Sequence, residues 1–190
     1  MIENKKRLAV FIDGSNFYFK LKSLEIKNLS RFNFRGLIDW LARDREIVSA
    51  GYYVGVVRAK PNDERGQKLR RAQRDLFNFL NSRAQRITVH RGYLMKNDNA
   101  FHEKGVDVKI ATDLLVGAYE NLYDEALIIS SDTDLIPAME KVKHLGKAVE
   151  YIGFGHQPAL AMQTFATISR LLIKDELKSF INSDASAGTE

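Results

Sequence analysis

Three carboxylates stand at positions where they could share one task. Asp13 follows an apolar run at 8–12, in Phe11-Ile12-Asp13-Gly14-Ser15-Asn16, and Asp132 follows another at 126–129, in Ile129-Ser130-Ser131-Asp132-Thr133-Asp134. Asp107 opens a helical pattern, in Lys104-Gly105-Val106-Asp107-Val108. Two carboxylates about 4 Å apart repel by roughly 4 kcal/mol at an effective dielectric of about 20. Three can therefore share a pocket only if a cation joins them or one takes up a proton. Mg2+ or Mn2+ suits such a pocket, because a hard ion binds oxygen through a few carboxylates and keeps several waters. An ion so held polarises a phosphate oxygen, lowers the pKa of a bound water and stabilises a departing oxygen. Phosphodiester hydrolysis needs all three. Asp134, two residues beyond Asp132, is expected to reach the same space, and Asn16 could orient a phosphate or a water.

Each acid also has a structural use. Asp132 and Asp107 suit helix N-caps, where Asp contributes about 1 kcal/mol. Asp134 would complement a helix dipole, and Asp13-Gly14 would make a turn. Capping does not require the acids to converge from separate segments, so a shared location separates the two readings. Asp113 lies six residues after Asp107, roughly 120° round a helix, and is a secondary candidate that could instead pair with Lys109. Asn16 could equally be structural. Ser130 and Ser131 could offer hydroxyls or N–H groups to a ligand, or merely close a strand.

Short apolar runs alternating with helical patterns are what would place these acids. Strands are expected at 8–12, 47–57, 87–90, 126–129 and 148–152. Helices are expected at 16–26 with Ser15 as N-cap, and at 33–43, 63–82, 106–121, 133–144 and 169–181, with a loop at 96–104. Trp40 is expected in the core, and Leu69, Ala72, Leu76 and Leu80 are expected to form the buried stripe of the third helix. Continuous apolar strands imply a mainly parallel sheet covered on both faces. Ligands bind such sheets beyond the carboxyl ends of the strands, where Asp13 and Asp132 fall. At 190 residues, with no repeat or low-complexity linker, the chain is expected to form one domain over 1–182 and a flexible tail at 183–190.

Composition narrows the chemistry. With no cysteine and four histidines that lack paired zinc spacing, a metal here would be held by oxygen. No apolar run approaches the ~20 residues of a membrane span, and the opening residues have no leader pattern. A cytoplasmic protein without membrane contact is therefore expected. The net charge of +5 favours a polyanionic partner. Between Arg58 and Asp75 there are seven basic residues against three acids. Arg58, Arg70, Arg71, Arg74, Arg91 and Lys96 are the candidates for tracking the backbone of such a polyanion, although a solvated helix face would have the same composition. Tyr52, Tyr53 and Tyr93 could stack on bases or serve as core. A phosphatase ranks low, because there is no Gly-rich phosphate loop and no Asp-x-Asp directly after the first strand.

The segments around Asp13, around Asp107 with Asp113, and from Ile128 to Pro137 with Gly146-Lys147 resemble the NYN domain. The likeness is to its LabA-like branch within the PIN-like nuclease superfamily, and its three ordered motifs run from about residue 8 to 153. The resemblance implies a three-layer α/β/α sandwich and Mg2+- or Mn2+-dependent endoribonuclease activity. It also implies metal binding at Asp13, Asp107 and Asp132 with Asp134 nearby, and a supporting role for Asn16. Asp113 matches an acid common in the LabA-like branch. RNA is the expected partner, and a homodimer stays open. The alternative is a non-catalytic RNA-binding or regulatory module that keeps a vestigial metal site.

Overall fold

The computed structural model describes residues 5–26, 32–97 and 100–181, with the backbone alone described for 93–97 and 100–104. Its seven strands are β1 (Arg7–Asp13), β2 (Glu46–Gly55), β3 (Thr88–Asn97), β4 (Ala100–Lys104), β5 (Glu125–Ile129), β6 (Ala148–Phe154) and β7 (Ile168–Leu172). They form one sheet in the order β4-β3-β2-β1-β5-β6-β7. Six of them run parallel, and β4 alone is antiparallel, returning along β3. β5 is buried at every position. A strand with helices on both faces has no solvent side, so its sequence reads as an unbroken apolar run.

The helices are α1 (Gly14–Ser23), α2 (Phe34–Ala42), α3 (Glu64–Leu80), α4 (Val106–Tyr119), α5 (Ile136–His144), α6 (Leu160–Phe165) and α7 (Lys174–Lys178). Alternation along β1 divides them. Leu8, Val10 and Ile12 pack with Phe17, Leu37, Ile38, Leu80 and Leu177, from α1, α2, α3 and α7. Ala9 and Phe11 face the other way, into a core with Ile110, Leu114, Met139, Val142 and Met162 from α4, α5 and α6. The result is the expected three-layer α/β/α sandwich around a mainly parallel sheet. Among the described residues, no helix is long and apolar enough to cross a membrane.

Several local expectations fail for identifiable reasons. The loop expected at 96–104 is instead the β3–β4 hairpin, with Tyr93 paired to Lys104 and Asn97 to Ala100. The helix expected at 169–181 is the edge strand β7 followed by the short α7, and α6 was not anticipated. Leu69 is 54% exposed and Ala72 is exposed too, because α3 turns Gly66, Phe77 and Leu80 to the core instead. Trp40 is 37% exposed, with the Arg170 guanidinium 3.7 Å from its ring centroid. The N-cap of α1 is Asp13 rather than Ser15. The tail expected at 183–190 lies outside the described residues.

Candidate functional site

The site begins with a parallel register. Ile12 of β1 pairs with Ile129 of β5, so the two strands release their next residues side by side at the carboxyl edge of the sheet. Asp13 and Ser130 meet there, the Ser130 hydroxyl donating to Asp13 Oδ2 at 2.8 Å. The same hydroxyl accepts the Asp132 N–H at 3.1 Å. One buried serine thus joins two segments that are more than a hundred residues apart in sequence. Asp13 Oδ1 accepts the Asn16 N–H at 3.0 Å, capping α1. Asp132 Oδ1 accepts the Asp134 N–H at 3.0 Å and caps one turn of 3₁₀ helix, Thr133–Leu135.

Gly14 turns the chain from β1 into α1 beneath a buried tyrosine. A Cβ at this position would lie 2.4 Å from Tyr52 Cε1, and the Tyr52 hydroxyl donates to the Gly14 carbonyl at 3.2 Å. Asp107 arrives from a third segment. The hairpin returns through Gly105, whose φ of 81° is left-handed and suits a residue without a Cβ. Val106 is buried, and its burial sets Asp107 in the first turn of α4.

A cavity of about 360 Å3 results, lined by Asp13, Ser15, Asn16, Phe19, Val106, Asp107 and Asp132. Asn16 Oδ1 is buried and has no hydrogen-bond partner among the described residues, and Ser131 Oγ, one residue before Asp132, is in the same state. A buried acceptor left unpaired costs about 1–3 kcal/mol, which a cation or a donating ligand would offset. Among the described residues, no three His, Asp or Glu side chains converge closely enough to hold a metal ion by themselves. Mg2+ normally takes one or two carboxylates and completes its shell with water and substrate oxygens. The donor set of acids, an amide oxygen and hydroxyls fits such an ion by chemistry.

The other candidates divide. Asp134 is exposed and does not line the cavity. Asp113 lies against a different cavity, where it accepts from Tyr53 Oη at 3.1 Å and Lys109 Nζ at 2.5 Å, with His90 Nδ1 at 3.7 Å. The structure therefore does not bring the secondary candidate to the site. Burial, then the Asp113 charge, pushes the Tyr53 phenol well above its ordinary pKa. Burial holds the His90 imidazole below its ordinary value. Tyr52 and Tyr53 are buried and have no face to offer a base.

Arg58, Arg70, Arg71 and Arg74 are exposed on α3 and the chain leading to it, and Arg91 lies 5.2 Å from the Phe77 ring centroid of that helix. Lys96 and Tyr93 have side chains outside the description. Sequence reasoning missed Phe19. Phe17 and Leu21 of α1 are buried four residues apart, and an aromatic residue off that stripe was the available signal.

The sequence pattern of the NYN domain matches residues 7–171, which carry all three cavity acids. The chain belongs to the NYN domain family. NYN domains form part of the PIN-like nuclease superfamily. One similar NYN relative is the Low amplitude and bright protein LabA of Synechococcus elongatus, 25% identical over 178 residues that make up 92% of this chain and 87% of that protein. In fold, this NYN chain is similar to VPA0982 of Vibrio parahaemolyticus, a protein of unknown function. The TM-score is 0.62 with 17% identity, covering 90% of this chain and 96% of that one.

Proposed function

We propose that this NYN protein is a Mg2+- or Mn2+-dependent endoribonuclease whose site is the acidic cavity. One observation carries the reading. Carboxylates from three separate segments line a single cavity at the carboxyl edge of a parallel sheet, beside a buried amide oxygen that has no partner among the described residues. Asp13, Asp107 and Asp132 would hold the ion, with Asn16 Oδ1 turned to the same work. The ion, when bound, supplies the positive charge that lets a phosphodiester enter an acidic cavity and stabilises the oxygen that leaves. Ser130 fixes the Asp13 carboxylate through its hydroxyl, and Asp132 is oriented by the turn that it caps. Arg58, Arg70, Arg71 and Arg74 would track the RNA backbone.

Incubation with single-stranded RNA and Mn2+ tests this directly. Cleavage is expected that EDTA abolishes and that Asp13→Asn reduces by at least about 100-fold, since a ligand charge goes while the cap stays. Cleavage that persists in both controls would sink the assignment.

A second reading is favoured by a specific observation. Asp13 and Asp132 already serve as caps, and among the described residues no three acids come close enough together to hold a metal ion by themselves. A non-catalytic RNA-binding module would bind RNA in a salt-sensitive way, with no metal-dependent turnover in the same assay.

A further inference from the structure

We infer that Phe19, with Tyr18 beside it, is the surface on which an unpaired nucleobase stacks at the lip of the acidic cavity. This rests on the proposed nuclease site and assigns a specificity-determining residue to it. Phe19 follows Ser15 by four residues and Asn16 by three on α1, which puts it on the helix face that they share, and all three line the cavity. Phe17 and Leu21 anchor the helix to the core from its other side. Packing therefore does not require a large apolar group at position 19. Phe19 is nevertheless 63% exposed, and Tyr18 is 44% exposed.

The two rings meet edge to face, with centroids 5.4 Å apart and planes 73° apart. That arrangement leaves at least one face of each ring uncovered by the other. A cavity lined by carboxylates suits the phosphate of a nucleotide only with a cation present. The base of that nucleotide is neutral, and its π-face suits an aromatic ring whatever the base identity. Phosphate in the cavity and base on the lip are parts of one nucleotide, so a single ligand accounts for both features. Tyr52 and Tyr53 cannot fill this role because they are buried.

The test has a binding arm and a kinetic arm. In the binding arm, single-stranded RNA carrying 2-aminopurine is titrated with Mn2+ into protein that carries Asp13→Asn, which slows turnover enough for binding to be read first. The expected result is fluorescence quenching on binding. Adding Phe19→Ala should weaken affinity by about 5- to 150-fold, the range of a lost aromatic–base stack, and Phe19→Trp should restore it. In the kinetic arm, Phe19→Ala should raise KM by a similar factor with kcat within about threefold. An abasic substitution at one substrate position should impair the parent protein and add nothing in Phe19→Ala, as expected of two partners in one contact.

Equal affinity of the two proteins, with abasic effects the same in both, would overturn the inference even if cleavage is normal. Self-association that Phe19→Ala abolishes without altering RNA binding would overturn it too, since the rings would then face a second copy. Absence of Mn2+-dependent cleavage would count against the nuclease reading alone, and quenching lost with Phe19 would still support the stack.

Discussion

At the scale of single residues, Ser130 is the hub. Its hydroxyl donates to Asp13 and accepts from the Asp132 backbone, so it positions both carboxylates from behind the residues that line the cavity. Ser130→Ala would leave a carboxylate oxygen and an N–H short of one partner each. A loss of about 1–3 kcal/mol in urea denaturation is expected, together with a fall in any Mn2+-dependent cleavage that exceeds the effect of the lost stability. A loss below about 0.5 kcal/mol would mean that water replaces the hydroxyl and that it is not the hub. The three cavity acids were legible because each sits at the exit of a strand or the entry of a helix, where chain direction alone sets the edge. Asp134 was not, because the 3₁₀ turn capped by Asp132 carries its side chain outward into solvent. Nor could spacing decide that Asp113 is held by Tyr53, which lies sixty residues away.

At the scale of elements, legibility followed burial. Strands covered on both faces, such as 8–12 and 126–129, write their burial as continuous apolar runs. The edge strand β7 is partly exposed along Ile168–Leu172, and its mixed sequence reads as easily as a helix. The stripe on α3 misled for another reason. Gln73 accepts from the Val57 N–H and donates to the Gly55 carbonyl, both at 2.8 Å, so part of the inward contact of α3 is made by a polar side chain that apolar periodicity does not count. Arg45 does similar work at the opposite edge of the sheet. It precedes β2 and pairs with Glu125 of β5 and with Glu150 of β6, the latter at 2.8 Å, and both acids are buried. Arg45→Met would strand two buried carboxylates and should cost about 3–5 kcal/mol. Chemical denaturation at neutral pH measures it. A cost below about 1 kcal/mol would mean that the acids find water or protonate without penalty.

At the scale of the whole molecule, charge is divided by place. The carboxylates gather at the ends of β1 and β5 and the start of α4, while α3 carries Arg65, Lys68, Arg70, Arg71 and Arg74 on an exposed surface. An anionic polymer is repelled by the first region and drawn to the second, so affinity and chemistry would reside on different elements. This separation makes them independently removable. Each phosphate contact to a single strand contributes about 0.7 to the slope of log K against log salt. Replacing Arg70, Arg71 and Arg74 by Gln should therefore flatten that slope by about 2 in a KCl series without divalent ions. Stability should stay within about 0.5 kcal/mol, because these side chains are exposed and the ion pair of Arg74 with Asp75, at 3.9 Å, is itself on the surface. With RNA saturating, kcat should hold, since none of the three arginines lines the cavity. A slope that does not change would remove α3 from the RNA path and leave its charge as a solvated face. A slope that flattens along with a collapse of kcat would mean that the helix reaches the reacting phosphate after all.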